Sequence, residues 1–191
     1  MSVFDFPLLS FDAVDKWEEY LSKNHEKIPG VWLKFFKKKS GVTSINYAQA
    51  LEVVLCYGWI DSKSKSLDEK SYMQKFTPRR SKSIWSKVNT ANIDRLIKEK
   101  RMKPAGLKVV EEAKKDGRWS DAYDSPSTME IPLDFMKELK KDKKALEFFQ
   151  TLNKTNVYAI TWRLQTAKKP ETRARRMAKL LEMLSQGEKL Y

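Results

Sequence analysis

One cysteine and one histidine in 191 residues leave several kinds of chemistry without their usual side chains. With Cys56 alone, no disulfide closes within the chain and no zinc site can be assembled from thiolates. Cys56 falls in Tyr47-Ala-Gln-Ala-Leu-Glu-Val-Val-Leu-Cys56-Tyr57, a run with helical periodicity, and reads as a buried structural thiol. His25 is set beside Asn24 and Glu26 at the end of a polar helix, where a solvated side chain is expected rather than the base of a triad. Glycine is also scarce, at six residues, and neither Gly-x-Gly-x-x-Gly nor Gly-x-x-x-x-Gly-Lys occurs. No serine stands in a Gly-x-Ser-x-Gly elbow. No catalytic residue, metal ligand or cofactor is therefore assigned. Hydrolysis by paired carboxylates stays open, because Asp and Glu together number 25, although no motif pairs them.

Long apolar runs are missing too. Stretches such as Val53 to Cys56 are far too short to span a bilayer. The N-terminus, Met1-Ser-Val-Phe-Asp5-Phe-Pro7, has no cationic start and is broken at Asp5 and Pro7, so no signal peptide and a cytoplasmic location are expected.

What the chain has in excess is positive charge and large aromatic side chains. It carries 38 basic and 25 acidic residues, a formal charge of +13, and six Trp among 12% aromatics. The aromatics and a 41% hydrophobic content suit one packed core, or a core with a helical annex. The charge attracts polyanions without selecting among them.

The periodicity predicts an α+β protein. A first helix runs from Asp12, as its cap, to Asn24, with Val14, Trp17 and Leu21 on one face. Val31 to Lys37 alternates as a strand. Asn46 caps a second helix that Gly58 ends. Trp59–Leu67 and Ser71–Phe76 form a hairpin over Asp68-Glu69-Lys70. The expected sheet is small and antiparallel, of about three strands with packed helices. Beyond Pro78 the pattern is helical: two helices up to Lys115, then, past a loop from Gly117 to Pro132, four more ending at Gln186. That loop divides a sheet-containing region, 1–117, from a mostly helical C-terminal region, 118–191, expected to pack as one structural unit.

Three features carry chemistry. Phe76-Thr-Pro-Arg79-Arg80-Ser-Lys82-Ser-Ile-Trp85-Ser-Lys87-Val-Asn89 holds four cations and no acid. From Lys75 to Lys103 there are ten basic residues against Asp94 and Glu99. Arginine forks suit phosphate or carboxylate, and an indole beside them can stack a flat ligand or lie beneath a guanidinium. The bland reading has Trp85 plugging the core and the Arg pair meeting carboxylates such as Asp61. Second, Gly58-Trp59-Ile60-Asp61-Ser62 places Trp59 and Asp61 on one strand face, with Asp61 expected near Arg79 or Lys75. Third, Lys168-Lys-Pro170-Glu-Thr172-Arg173-Ala-Arg175-Arg176 opens a helix. There Thr172, Arg173 and Arg176 can hold an anion or form a solvated cationic face.

Gly58-Trp-Ile-Asp-Ser62, Phe76-Thr-Pro-Arg-Arg80, Ser83-Ile-Trp-Ser-Lys-Val-Asn89, Arg101-Met-Lys-Pro-Ala-Gly106, Asp116-Gly-Arg-Trp119 and Ala167-Lys-Lys-Pro-Glu-Thr-Arg-Ala-Arg-Arg176 together resemble the bacteriocin-protection family, also called YdeI/OmpD-associated. The resemblance runs roughly from Trp17 to Gly187. Ser81 stands where Pro is expected after the Arg pair, and Lys100 where Gly is expected before Arg-Met. Both leave the local surface more polar or more basic. The resemblance implies no defined reaction. It implies a candidate ligand-binding set of Trp59, Asp61, Phe76, Arg79, Arg80, Trp85 and Asn89, with Thr172, Arg173 and Arg176 in the tail. The expected function is non-enzymatic binding of an anionic or phosphorylated small molecule, in stress or antimicrobial-peptide resistance. Nucleic-acid binding through the basic surface, or a small-molecule enzyme with an unrecognised site, are the alternatives.

Overall fold

A computed structural model describes residues 5–191; the opening residues 1–4, part of the stretch read for a leader, lie outside the described residues. The architecture is α+β, with one four-stranded sheet and eight α-helices among the described residues. The chain clusters into two compact units. The first takes the chain up to Trp85 together with Asn89–Asp121, and the second takes Ser86–Val88 with Ala122–Tyr191.

In the first unit, β1 (Leu8–Leu9), β2 (Val31–Phe36), β3 (Trp59–Ser66) and β4 (Ser71–Pro78) lie in the order β1-β2-β4-β3. The expected hairpin is present: β3 and β4 pair antiparallel, and Asp68 ties the turn by accepting from the Lys70 N–H at 2.8 Å and the Ser71 hydroxyl at 2.7 Å. β2 joins β4 antiparallel, with Val31 opposite Phe76 and Phe35 opposite Tyr72. The expectation of three antiparallel strands needs one correction. Leu8 and Leu9 pair parallel with Trp32 and Leu33, so the sheet is mixed and has a fourth strand. A two-residue strand after a proline is too short to show alternation. The Trp32 N–H marks its start by donating to the Pro7 carbonyl at 2.9 Å.

The strand period of two sends Val31, Leu33 and Phe35 to one face, where all three are buried. Trp17 and Leu21 of α1 (Val14–Asn24) and much of α2 (Tyr47–Cys56) are buried as well. Trp17 and Phe76 meet at ring centroids 6.3 Å apart. α2 begins with the full capping box of Asn46 and Gln49. α1 does not use Asp12 as its cap. Ala13 holds that position, and the Asp12 carboxylate pairs instead with Lys16 one turn on, at 2.8 Å. Gly58 turns the chain out of α2 into β3 with φ +75°, a left-handed conformation that suits glycine.

α3 (Lys87–Lys98) and α4 (Pro104–Lys115) follow, the second with proline at its first turn. α4 lies so close to the end of α2 that a Cβ on Gly106 would fall 2.2 Å from the Cys56 carbonyl oxygen. The same oxygen accepts the Lys103 N–H at 3.1 Å.

The second unit is helical: α5 (Leu133–Leu139), α6 (Lys143–Gln150), α7 (Lys154–Gln165) and α8 (Pro170–Ser185). Phe135, Leu139, Ala145, Phe149, Ile160, Leu164, Leu180 and Leu184 form its core. Asp142 and Asn153 cap α6 and α7 by accepting from Ala145 and Asn156. Among the described residues no helix is long and apolar enough to cross a membrane.

Candidate functional site

Pro78 ends β4 and starts a loop that the first unit anchors at several points. The Arg79 N–H donates to the Gly58 carbonyl at 3.1 Å. A tight turn follows, in which Ser83 N–H donates to Arg80 O at 2.9 Å and Arg80 N–H to Ser83 Oγ at 3.1 Å. Trp85 then enters the interior, 1% exposed, and packs on Trp119 with centroids 5.0 Å apart. The Arg79 guanidinium carbon lies 3.5 Å from the centre of the Trp85 ring, and Nη1 donates to the Ile84 carbonyl at 3.1 Å. Across the indole pair, Lys114 Nζ stands 5.0 Å over Trp119. Arg118 donates to the Ser83 carbonyl at 3.1 Å while its Nε holds Asp116 at 2.8 Å.

The result is a loop in which a ring face and a carbonyl hold Arg79, flanked by Lys114 on the Trp119 ring and by Arg118, which pairs with Asp116. Arg80 and Lys82 are exposed at its tip. A guanidinium on an indole keeps its full charge while its position is fixed. Such a group can meet an anion at little ordering cost.

Of the sequence-derived residues, Arg79, Arg80 and Trp85 come together here. Trp59 stands opposite Pro78 at the base of the loop, and Phe76 lies two residues before Pro78; both are buried in the first unit's core, 1% and 0% exposed, and the Trp59 indole N–H donates to the His25 carbonyl at 3.2 Å. Asn89 is also buried. Asp61 stands opposite Phe76 in the sheet and accepts the Tyr47 hydroxyl at 2.9 Å. The expected Lys75 neighbour sits on the opposite face of its strand, where it pairs with Asp5. Lys87 pairs with Asp124 at 2.6 Å within the second unit.

The tail residues are in that unit as well. Arg173 grips Asp134 with both terminal nitrogens, one of them at 2.9 Å. Arg176 donates to the Arg163 carbonyl at 2.7 Å and to Thr166 Oγ1 at 3.3 Å. Thr172 is half-buried. The Arg pair thus ties α8 to α5 and to the last turn of α7, where a cation suits the helix dipole.

Lys114, Arg118 and Trp119 were missed as site residues. The Asp116-Gly-Arg-Trp119 motif held the signal, but nothing local says that Trp119 meets Trp85. Burial pushes the Cys56 thiol up to about 11, so it offers no thiolate near neutral pH. Among the described residues, no group of three His, Cys, Asp or Glu side chains is placed to hold a metal ion.

Comparison with known families divides the chain. Residues 128–187 match the family described as Bacteriocin-protection, YdeI or OmpD-Associated. This confirms the resemblance for the C-terminal region and narrows its span, which the motifs had extended back to Trp17. No curated protein and no solved structure matches the chain. Residues 9–109 match a different family model, which covers β2 to β4, Gly58, the Arg79–Trp85 loop and Gly106. That match takes in more than half of the chain, which therefore belongs to the family described as Domain of unknown function (DUF8412).

Proposed function

We propose that this protein binds a phosphate-bearing anionic ligand, without catalysis, at the loop from Arg79 to Trp85. The observation that carries the reading is the Arg79 guanidinium held 3.5 Å over the buried Trp85 ring. It sets a fixed positive floor beside the exposed Arg80 and Lys82, in a segment with no acid from Phe76 to Asn89. Phosphate oxygens accept from such groups through charge-assisted hydrogen bonds. The test is calorimetric titration of the full chain with tripolyphosphate. Arg80→Ala/Lys82→Ala, which touches only exposed side chains, should weaken binding about tenfold or more. Equal affinity of wild type and double variant would remove the loop from the reading.

The biological setting we assign is cytoplasmic protection against stress or antimicrobial peptides. Support for the protective role is the match of residues 128–187 to a family described as Bacteriocin-protection, YdeI or OmpD-Associated. Cells carrying the double variant should then survive bacteriocin challenge less well than wild type, and fractionation should recover the protein from the cytoplasm.

Nucleic acid is the second reading. It draws on the sheet face opposite the core, where Lys65 and Lys75 stand 5.3 and 5.8 Å over the Trp32 ring and Lys34 stands 4.7 Å over Phe36. Binding through many phosphates would weaken steeply as salt rises. A flat salt response removes this reading and leaves the first.

A further inference from the structure

Arg163 sits near the C-terminal end of α7, and its Nη1 is buried with no hydrogen-bond partner among the described residues. Arg163 also lines two clefts within the second unit. One, of about 330 Å³, is walled by Tyr123, Tyr158, Trp162 and Tyr191. The other, of about 280 Å³, sets Arg163 beside Arg176 and Lys179 against Leu180 and Met183. Tyr123 and Trp162 meet edge to face, centroids 5.9 Å apart at 89°. None of the described residues lining either cleft is Asp or Glu.

These features are complementary to one kind of molecule. An aromatic wall favours a flat apolar body, and the arginine fork favours a planar acid group. The cationic surroundings, with Arg176 pinned by its bonds to Arg163 O and Thr166 Oγ1, raise the local preference for negative charge. We propose that the cleft of Tyr123, Tyr158, Trp162 and Arg163 binds a small amphipathic carboxylate, its acid group on the Arg163 guanidinium and its ring system against the aromatic wall. The fork's turn toward that acid brings the buried Nη1 the acceptor that the protein does not supply. The proposal does not depend on the Arg79–Trp85 loop.

Calorimetry of the full chain with 2-naphthoate and with the neutral 2-naphthalenemethanol tests the assignment. The carboxylate should bind about tenfold tighter than the alcohol. Arg163→Gln should abolish that preference, and Arg80→Ala/Lys82→Ala should leave it intact. The proposal is overturned by equal affinity for the two probes, by a preference that survives in Arg163→Gln, or by its loss in the loop variant. Should Arg163→Gln lose its helical circular dichroism, Tyr158→Ala takes its place. Weaker binding of 2-naphthoate then supports the site, and unchanged binding overturns it.

Discussion

Arg79 lies with its guanidinium carbon 3.5 Å from the ring centre of Trp85, and that stack joins the end of β4 to the unit's interior. Stacking of this kind contributes roughly 0.5–2 kcal/mol, more as water is excluded. Arg79→Ala should therefore destabilise the chain by about 1–2 kcal/mol. Arg79→Lys should recover part of the loss, because an ammonium keeps the charge and lacks the flat face. Urea unfolding of the two variants checks this. If both equal wild type, the stack is incidental to the fold.

Gly106 is a second contact with a measurable consequence. A methyl group there would meet the Cys56 carbonyl oxygen at 2.2 Å and its carbon at 2.8 Å, and both are backbone atoms at the end of α2. They cannot swing aside as a flexible side chain would. In an open helix, Gly→Ala usually stabilises. Here Gly106→Ala should instead cost about 1–3 kcal/mol, as overpacking does. A raised melting temperature would show that the two helices separate easily.

These contacts mark how far the sequence could be read. Helix limits came through well because proline, glycine and capping signals are local: Pro104 and Pro170 start helices, and Asn46 caps one. The three longer strands followed from alternation. The pair Leu8–Leu9 did not, since two residues carry no period. In the candidate site the cationic loop was visible as composition. What fixes it was not, because Trp119 and Arg118 reach it from more than 30 positions away, Arg118 to Ser83 across 35. Charge was also a poor guide to availability. Lys87 belongs to the same basic run as Arg80, and Arg173 to the basic run of the tail, yet they are paired with Asp124 and Asp134.

The pairing of Arg173 with Asp134 can be separated from a ligand role. Arg173 holds the Asp134 carboxyl below the usual carboxylate range, chiefly through its hydrogen bond. The pair is partly exposed, so its coupling should be small, about 0.2–1 kcal/mol in a double-mutant cycle of Arg173→Ala with Asp134→Ala. Additive losses would mean that Arg173 acts elsewhere, and would return it to the list of anion contacts.

Glu52 gives the first unit a defined response to acid. Burial pushes its carboxyl up, but Arg101 and Arg95 outweigh burial and hold it below the ordinary value. Arg101 reaches it at 2.7 Å, and Arg95 also holds Glu99 at 2.9 Å. A carboxyl held down in the folded state adds stability in full above its unfolded value, about 4.3 for glutamate. That contribution disappears as pH falls through the lower folded value. Glu52→Gln should thus be less stable at pH 7, by about 1 kcal/mol or less for so accessible a network. Its stability should also fall less steeply than that of wild type below about pH 4.5. Urea unfolding at intervals from pH 7 to pH 3 reads both effects. Parallel curves for the two proteins would mean that Arg95 and Arg101 do not hold Glu52 in solution.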